Sequence, residues 1–459
     1  MLQHRNGRGK TLLTAVAIFA AASLLAAACS EAETSSDTST TSSTPVEGEF
    51  VPGEGDGVTV ISKFEGAEWF DGPVPTAAAA DESLEPVKVG FINVDSAPVA
   101  AMPELHGAVD GWVEFVNKEL GGIDGHPVEV VACPLGNAMS PEEAAGCARK
   151  MVEAGVVAVL GGIGLSTGAA LSVLAENDIP WIGGIPVNAE EMSSPISFQF
   201  SGGSPGAFTA MAHQAVTVDG AEKVAVIYGD FPSVKSAAVD YGVGVSEALG
   251  AEVTEVEYPL VSQDYTAPVQ KAVDANPDAI LVSAADLSCA PIMQALSDLG
   301  TEAQVYMVGS CADQRVIDQV GSENVAGTRF NIENRLNQAD SPVVDTELYS
   351  QVMGQYAPDT TAESAATVAF RGAMNLWAVL SDLGPDAAPD EIMEAFREST
   401  DVPSFDGHPY TCSVEQIPGF PAMCAPQQVL AELTSSNVLV EASDGWIDVP
   451  TILEDTINA

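Results

Sequence analysis

From Pro86 onward the chain alternates short β-branched runs with longer amphipathic stretches, the order expected of α/β folding. Strands are predicted at Val87 to Val94, Val128 to Cys133, Val156 to Leu160, Ile179 to Ile182, Lys223 to Tyr228, Glu252 to Tyr258, Ala279 to Ser283, Val305 to Val308 and near Val325 to Phe330. The helices between them carry readable ends. Ser140-Pro141-Glu142-Glu143 offers an N-cap, a proline at the first helical position and a capping-box glutamate. A long helix from Thr361 to Leu383 stops at Gly384 with Pro385 just beyond.

The pattern repeats. One unit runs strand (Val87), helix (Pro103 to Leu120), strand (Val128), helix (Glu142 to Glu153), strand (Val156) and a Gly-rich loop. A second runs strand (Val224), helix (Val234 to Leu249), strand (Val253), helix (Tyr265 to Ala275), strand (Ile280) and a small-residue loop. The fold class expected is therefore α/β, with two doubly wound parallel-sheet lobes joined by a hinge. The first lobe takes residues 86–203 with about 332–405, and the second 204–331 with about 406–450. Ligands bind outside the carboxyl ends of such strands, where strand order reverses. The loops at issue are Asn93 to Ala97, Gly161 to Gly168, Ile185 to Asn188, Gly229 to Ser233, Ala284 to Ser288 and Gly309 to Asp313.

The N-terminal stretch departs from this order. Arg5, Arg8 and Lys10 precede an apolar run from Leu12 to Ala22 and the small residues Ala26-Ala27-Ala28 before Cys29. This reads as a secretory signal over residues 1–28, too short for a membrane span. A cysteine at the first position after the cut resembles the lipobox of bacterial lipoproteins, which implies acylation of Cys29. An ordinary signal peptide that contains a cysteine is the alternative. Residues 29–85 are Ser/Thr-rich, then Gly, Pro, Ala and acid-rich, and are expected to form a disordered tether; Val58 to Ile61 and Trp69-Phe70 hint at a short docked segment.

Composition narrows the partners. The chain carries 16 Lys and Arg against 65 Asp and Glu, a net charge of -49, and three of those cations belong to the signal. Such an acidic surface repels nucleic acid and anionic head groups, so the membrane is expected to be touched only through the lipid anchor. With 46% hydrophobic residues, this acidity is not the signature of disorder. Setting Cys29 aside, the remaining cysteines form sequence-local pairs: Cys133 with Cys147, Cys289 with Cys311, and Cys412 with Cys424. Disulfides between neighbours are the expectation in an exported chain. Metal binding competes with it, but no CxxC spacing is present and the five histidines are scattered.

The sharpest local signal is Gly161-Gly162-Ile163-Gly164-Leu165-Ser166-Thr167-Gly168. A dinucleotide fingerprint fails because Thr167 stands where GxGxxG needs glycine. A nucleophile elbow fits Gly164 to Gly168, with Asp401 or Asp406 and then His408 completing a serine-hydrolase order, but Gly161 to Ile163 separate the serine from its strand. The third reading has the glycines admit a small solute while the helix start, Ser166 and Thr167 hold an anion.

Together with Val87 to Asn93, Gly121 to Val128, Ala145 to Val152 leading into Val156 to Gly162, Ala175 to Pro180, Pro277 to Leu281 and Asp444 to Trp446, these motifs carry a resemblance. From Val87 to Val449 the chain resembles the branched-chain amino acid (leucine/isoleucine/valine-binding) substrate-binding lipoproteins of ABC transporters, the type I periplasmic class. The resemblance implies a non-enzymatic, cofactor-free monomer on the outer face of the cytoplasmic membrane. It would capture a small polar or amphipathic solute (an amino acid, amide or related acid) by hinge closure and deliver it to a membrane permease driven by a cytoplasmic ATPase. A ligand-sensing lipoprotein of the same fold is the alternative, and a surface hydrolase using Ser166 a third. The ligand contacts implied are Ser166 and Thr167, then Pro186, Val187 and Asn188, then Asp286 or Leu287, and Ser310. Where the family commonly places an acid to pair an α-ammonium, this chain has Ser310 or Cys311. Asp286 or Asp313 could replace that charge, and the pocket suits a less polar or uncharged solute.

Overall fold

The computed structural model describes residues 59–457, apart from positions 98, 263, 285, 338–342 and 363–364. The signal segment, Cys29 and the Ser/Thr-rich part of the tether lie outside the described residues.

The first sheet contains β1 (Val87–Val94), β2 (Val128–Leu135), β3 (Ala158–Gly161), β4 (Trp181–Ile182) and β5 (Ser197–Phe198). Their spatial order is β2-β1-β3-β4-β5, and every pairing is parallel. The second sheet contains β6 (Lys223–Gly229), β7 (Glu252–Tyr258), β8 (Ala279–Val282), β9 (Gln304–Met307), β10 (Arg329–Ile332), β11 (Val429–Leu433) and β12 (Leu439–Glu441). Its order, β7-β6-β8-β9-β10-β11-β12, repeats the first topology and then adds two antiparallel edge strands. The second lobe is thus a mixed sheet, where the sequence predicted a purely parallel one.

The central strands of each sheet are buried on both faces, as their unbroken apolar runs demand. Along β6 and β8, Val224, Val226 and Leu281 enter one core, while Ala225, Ile227 and Ile280 enter the core on the opposite face. The helix ends follow local chemistry. Ser140 Oγ accepts from the Glu143 N–H at 3.2 Å, and the helix Pro141–Ala154 stops at Gly155 with φ +69°. The expected capping-box return is not made, because Glu143 Oε1 accepts from the Gly136 N–H at 2.7 Å. The helix Ala365–Leu383 ends at Gly384 with φ +89°.

The tether expectation needs correction where the chain is described. Residues 59–85 are a strap packed on the first lobe. The Val60 and Ile61 N–H groups donate to the two oxygens of buried Glu119, at 2.8 and 2.7 Å, and the Tyr356 hydroxyl donates to the same carboxylate. Trp69 packs edge-on against Trp377 and Phe405, and the Phe70 N–H donates to Asp345 Oδ1 at 3.0 Å. Burial of these rings supplies what the surrounding Gly, Pro and Ala cannot.

The chain passes between lobes three times: at Phe200 to Gly203, at Ile332 to Arg335, and at Ala425 to Gln428. After the expected boundary near 406 the chain borders both cores before this crossing: Tyr410 and Cys424 belong to the first, Ile417 and Met423 to the second, and residues 422–424 hydrogen-bond beside Gln199. All three predicted disulfides are present, with Cα separations of 5.6, 5.3 and 4.5 Å.

Candidate ligand cleft

The carboxyl ends of both sheets face one cavity of about 140 Å³. From the first lobe come Val99, Ala100 and Met102 after β1, Ile163 and Leu165 after β3, and Ile185 and Val187 after β4. The second lobe brings Val234 after β6, Tyr258 and Leu260 at the end of β7, Ser283 and Ala284 after β8, and Val308 to Ser310 after β9. The hinge contributes Ser201, Gly203 and Asn331 to Asn334. These are the loops that strand-order reversal selects in each lobe.

A single carboxylate oxygen gathers the three crossings. Glu333 Oε1 accepts from the Ser201 hydroxyl, the Gly202 N–H and Gln428 Nε2, each at 2.9 Å. Its other oxygen faces buried Arg371, whose guanidinium also donates to the carbonyl oxygens of Phe200, Glu333 and Asp406. Gly202 is required here, since a Cβ would stand 2.4 Å from Gln428 Nε2 and 2.6 Å from the Pro426 carbonyl oxygen.

Across the cleft, Arg315 of the second lobe reaches Glu104 of the first at 3.4 Å while pairing with Asp313 at 2.7 Å. Phe231 and Leu260 of the second lobe also pack against the first lobe's core. The lobes are therefore in contact on the open side of the cavity as well as at the hinge.

The sequence-predicted contacts divide into two groups. Val187 and Ser310 line the cavity. Thr167 and Asn188 are buried within the first lobe: Asn188 Nδ2 donates to Thr167 Oγ1 at 2.7 Å and to the Gly164 carbonyl oxygen at 2.8 Å. Beside them lies Glu191, wholly buried, whose Oε2 accepts from the Val187 N–H at 2.9 Å and the Asn188 N–H at 3.1 Å. Burial pushes its carboxyl up to about 7. The chain's own carboxyl group thus occupies the donors of this loop. Ser166 is half-buried, while its neighbour Leu165 reaches the cavity. Pro186 is buried against the hinge, where a Cβ on Gly203 would come within 2.3 Å of its carbonyl oxygen.

The glycines of this loop admit neighbouring backbone. A Cβ on Gly161 would lie 2.5 Å from the Gly183 carbonyl oxygen, and one on Gly162 would lie 2.3 Å from Asn93 Oδ1. Asp286 begins the short 3-10 helix Asp286–Ser288, and Leu287 is exposed. Asp313 caps the helix Gln314–Val320 and is held by Arg315, so it is already neutralised. His408 hydrogen-bonds the Pro409 carbonyl oxygen at 2.7 Å, and Asp406 accepts from Thr346. Ser166, Asp406 and His408 therefore form no proton relay in this structure. Sequence reasoning missed Met102, Tyr258, Leu260 and Glu333, whose residue types signal core or hinge as readily as a binding wall.

The periplasmic binding protein family model matches residues 86–414. Among solved structures, the leucine-binding protein LivK of Thermotoga maritima is 18% identical with a TM-score of 0.66, over 79% of this chain and 99% of that one. A fatty acid ABC transporter substrate-binding protein from Thermomonospora curvata is 16% identical with a TM-score of 0.67, over 83% and 97%. The branched-chain amino acid transporter substrate-binding protein LivJ of Streptococcus pneumoniae, solved with isoleucine, is 16% identical with a TM-score of 0.63, over 78% and 100%. No curated protein sequence matched. The family match covers most of the chain and the two-lobed architecture agrees with it, so this protein belongs to the periplasmic binding protein family.

Proposed function

We propose that this chain is the extracytoplasmic, lipid-anchored solute receptor of an ABC importer, without catalytic activity of its own. The observation that carries this reading is the convergence of three interlobe crossings on Glu333, directly behind a cavity lined by both lobes. A solute in that cavity touches both lobes only when they meet, so it favours the closed arrangement by its differential affinity. The closed pair is then the surface a permease recognises, with a cytoplasmic ATPase driving transport. The structural likeness to a leucine-binding protein, a transporter protein solved with isoleucine and a fatty acid transporter protein supports solute capture. The acceptor for the anchor is Cys29; a Cys29→Ala chain is expected to leave the membrane fraction.

The test is a thermal-shift screen of the chain beginning after Cys29 against amino acids, amides, carboxylates and aromatic acids. Any stabilising solute is then followed by small-angle scattering. Compaction on binding supports the reading. A solute that stabilises the protein with no change in its radius of gyration rejects hinge closure.

A further inference from the structure

Building on the reading of the cleft as a solute site, we infer that its ligand is an uncharged amphiphile: a largely hydrocarbon body with one neutral hydrogen-bonding head. A free amino acid or a carboxylate does not fit the groups present.

The charged groups at the cavity are already satisfied. Glu333 has three donors on one oxygen and Arg371 against the other. Among the described residues no Lys or Arg lines the cavity, so a ligand carboxylate finds no cation among them. The helix start at Gly168, the natural cradle for such a carboxylate, has Glu191 bonded into the loop beside it through Asn188 and Thr167. An ammonium group fares no better among the described acids, because Glu333 already accepts from Ser201, Gly202, Gln428 and Arg371, and Asp313 is taken by Arg315. Bringing a zwitterion into this wall would bury two charges without partners, which costs far more than burying a neutral group.

The neutral polar groups are mostly spoken for as well. Asn331 Oδ1 accepts from the Gly309 N–H and its Nδ2 donates to Gln428. The Tyr258 hydroxyl donates to the Ser283 carbonyl oxygen at 2.8 Å. The hydroxyls of Ser204 and Ser283 line the cavity with no partner among the described residues, and Ser310 Oγ keeps its lone pairs after donating to the Ala284 carbonyl oxygen. These suit a hydroxyl, ester or amide head. Around them, Met102, Ile163, Leu165, Leu260, Val308 and Val368 present only carbon and sulfur.

The test is calorimetric titration with two matched series, built on the 4-methylpentyl and decyl skeletons, each as the neutral amide, the carboxylate and the α-amino acid. The amide is expected to bind at least tenfold tighter than either charged member of its series. Ser283→Ala is expected to weaken the amide about fivefold, the effect of one neutral hydrogen bond, without changing the melting temperature. Tighter binding by an amino acid or a carboxylate overturns the inference, and so does the absence of binding by all members at 10 mM. Scattering separates the two readings. A charged member that binds and compacts the protein removes the ligand class and keeps the import function. An amide that binds without compaction keeps the ligand class and counts against import.

Discussion

Glu104, buried at the start of the helix Pro103–Glu119, faces the Arg315 guanidinium from the opposite lobe at 3.4 Å. Arg315 is more than half exposed and shared with Asp313, so water and salt screen the contact. Its contribution to closure is modest. Arg315→Ala is expected to weaken ligand binding a few-fold, within about 1 kcal/mol, chiefly by faster dissociation. Stopped-flow release measured at low and high salt checks this: the difference between wild type and variant should shrink as salt rises.

Arg371 is a different case, because it is buried and holds backbone from two crossings. Arg371→Met strips the cation from Glu333 and frees the carbonyl oxygens of Phe200 and Asp406. A loss of stability on the order of 3 kcal/mol is expected, read by chemical denaturation. Arg371→Lys should recover only part of it, since an ammonium cannot reproduce the planar fork.

Three buried acids set a pH dependence. Burial pushes Glu191 up to about 7, Asp345 to about 6 and Asp406 to about 7, the last despite the Thr346 hydrogen bond and the nearby Arg371. Each binds its proton at higher pH in the folded chain than in the unfolded one, so stability is fullest near pH 4 and declines towards pH 7. His106 adds the same sign above its ordinary range, since the hydrogen bond it donates to Asp95 raises it. The melting temperature is therefore expected to rise on acidification from pH 7.5 to 5.5. Asp406→Asn, which keeps an oxygen for Thr346, should flatten that slope, and an unchanged slope would contradict the assignment.

The Cys289–Cys311 bridge ties the start of the helix Cys289–Leu299 to the 3-10 turn Gly309–Ala312 after β9, beside Ser310. Replacing both cysteines with alanine is expected to cost about 3 kcal/mol and to weaken ligand binding by loosening Gly309 and Ser310. Denaturation and titration of the double variant measure the two effects separately.

The repeating architecture was legible because buried parallel strands such as Val87–Val94 leave continuous apolar runs, while the edge strand Glu252–Tyr258 alternates apolar and polar residues; both end where the pattern places them. The strand expected over Ile179 to Ile182 is present as the two residues of β4, whereas the two-residue β5 and the antiparallel edge β11-β12 leave too little periodicity to read. The cleft was harder. Its loops could be assigned from strand order, yet whether Thr167 and Asn188 face a ligand depends on Glu191, which reaches them only in the folded loop. Trp69 and Phe70 stood out in a Gly- and Pro-rich stretch, but their partners Trp377 and Phe405 lie some three hundred residues away along the chain.

Every attachment of the strap falls on one side of the hinge: Glu119, Asn117, Gly125, Asp345, Trp377 and Phe405 all move with the first lobe. A pull transmitted through residues before Thr59 is therefore borne by that lobe alone and exerts no leverage on the angle between the two. On the proposed reading of an anchored receptor that closes on its solute, the anchored lobe is the fixed jaw and closure is left to the second.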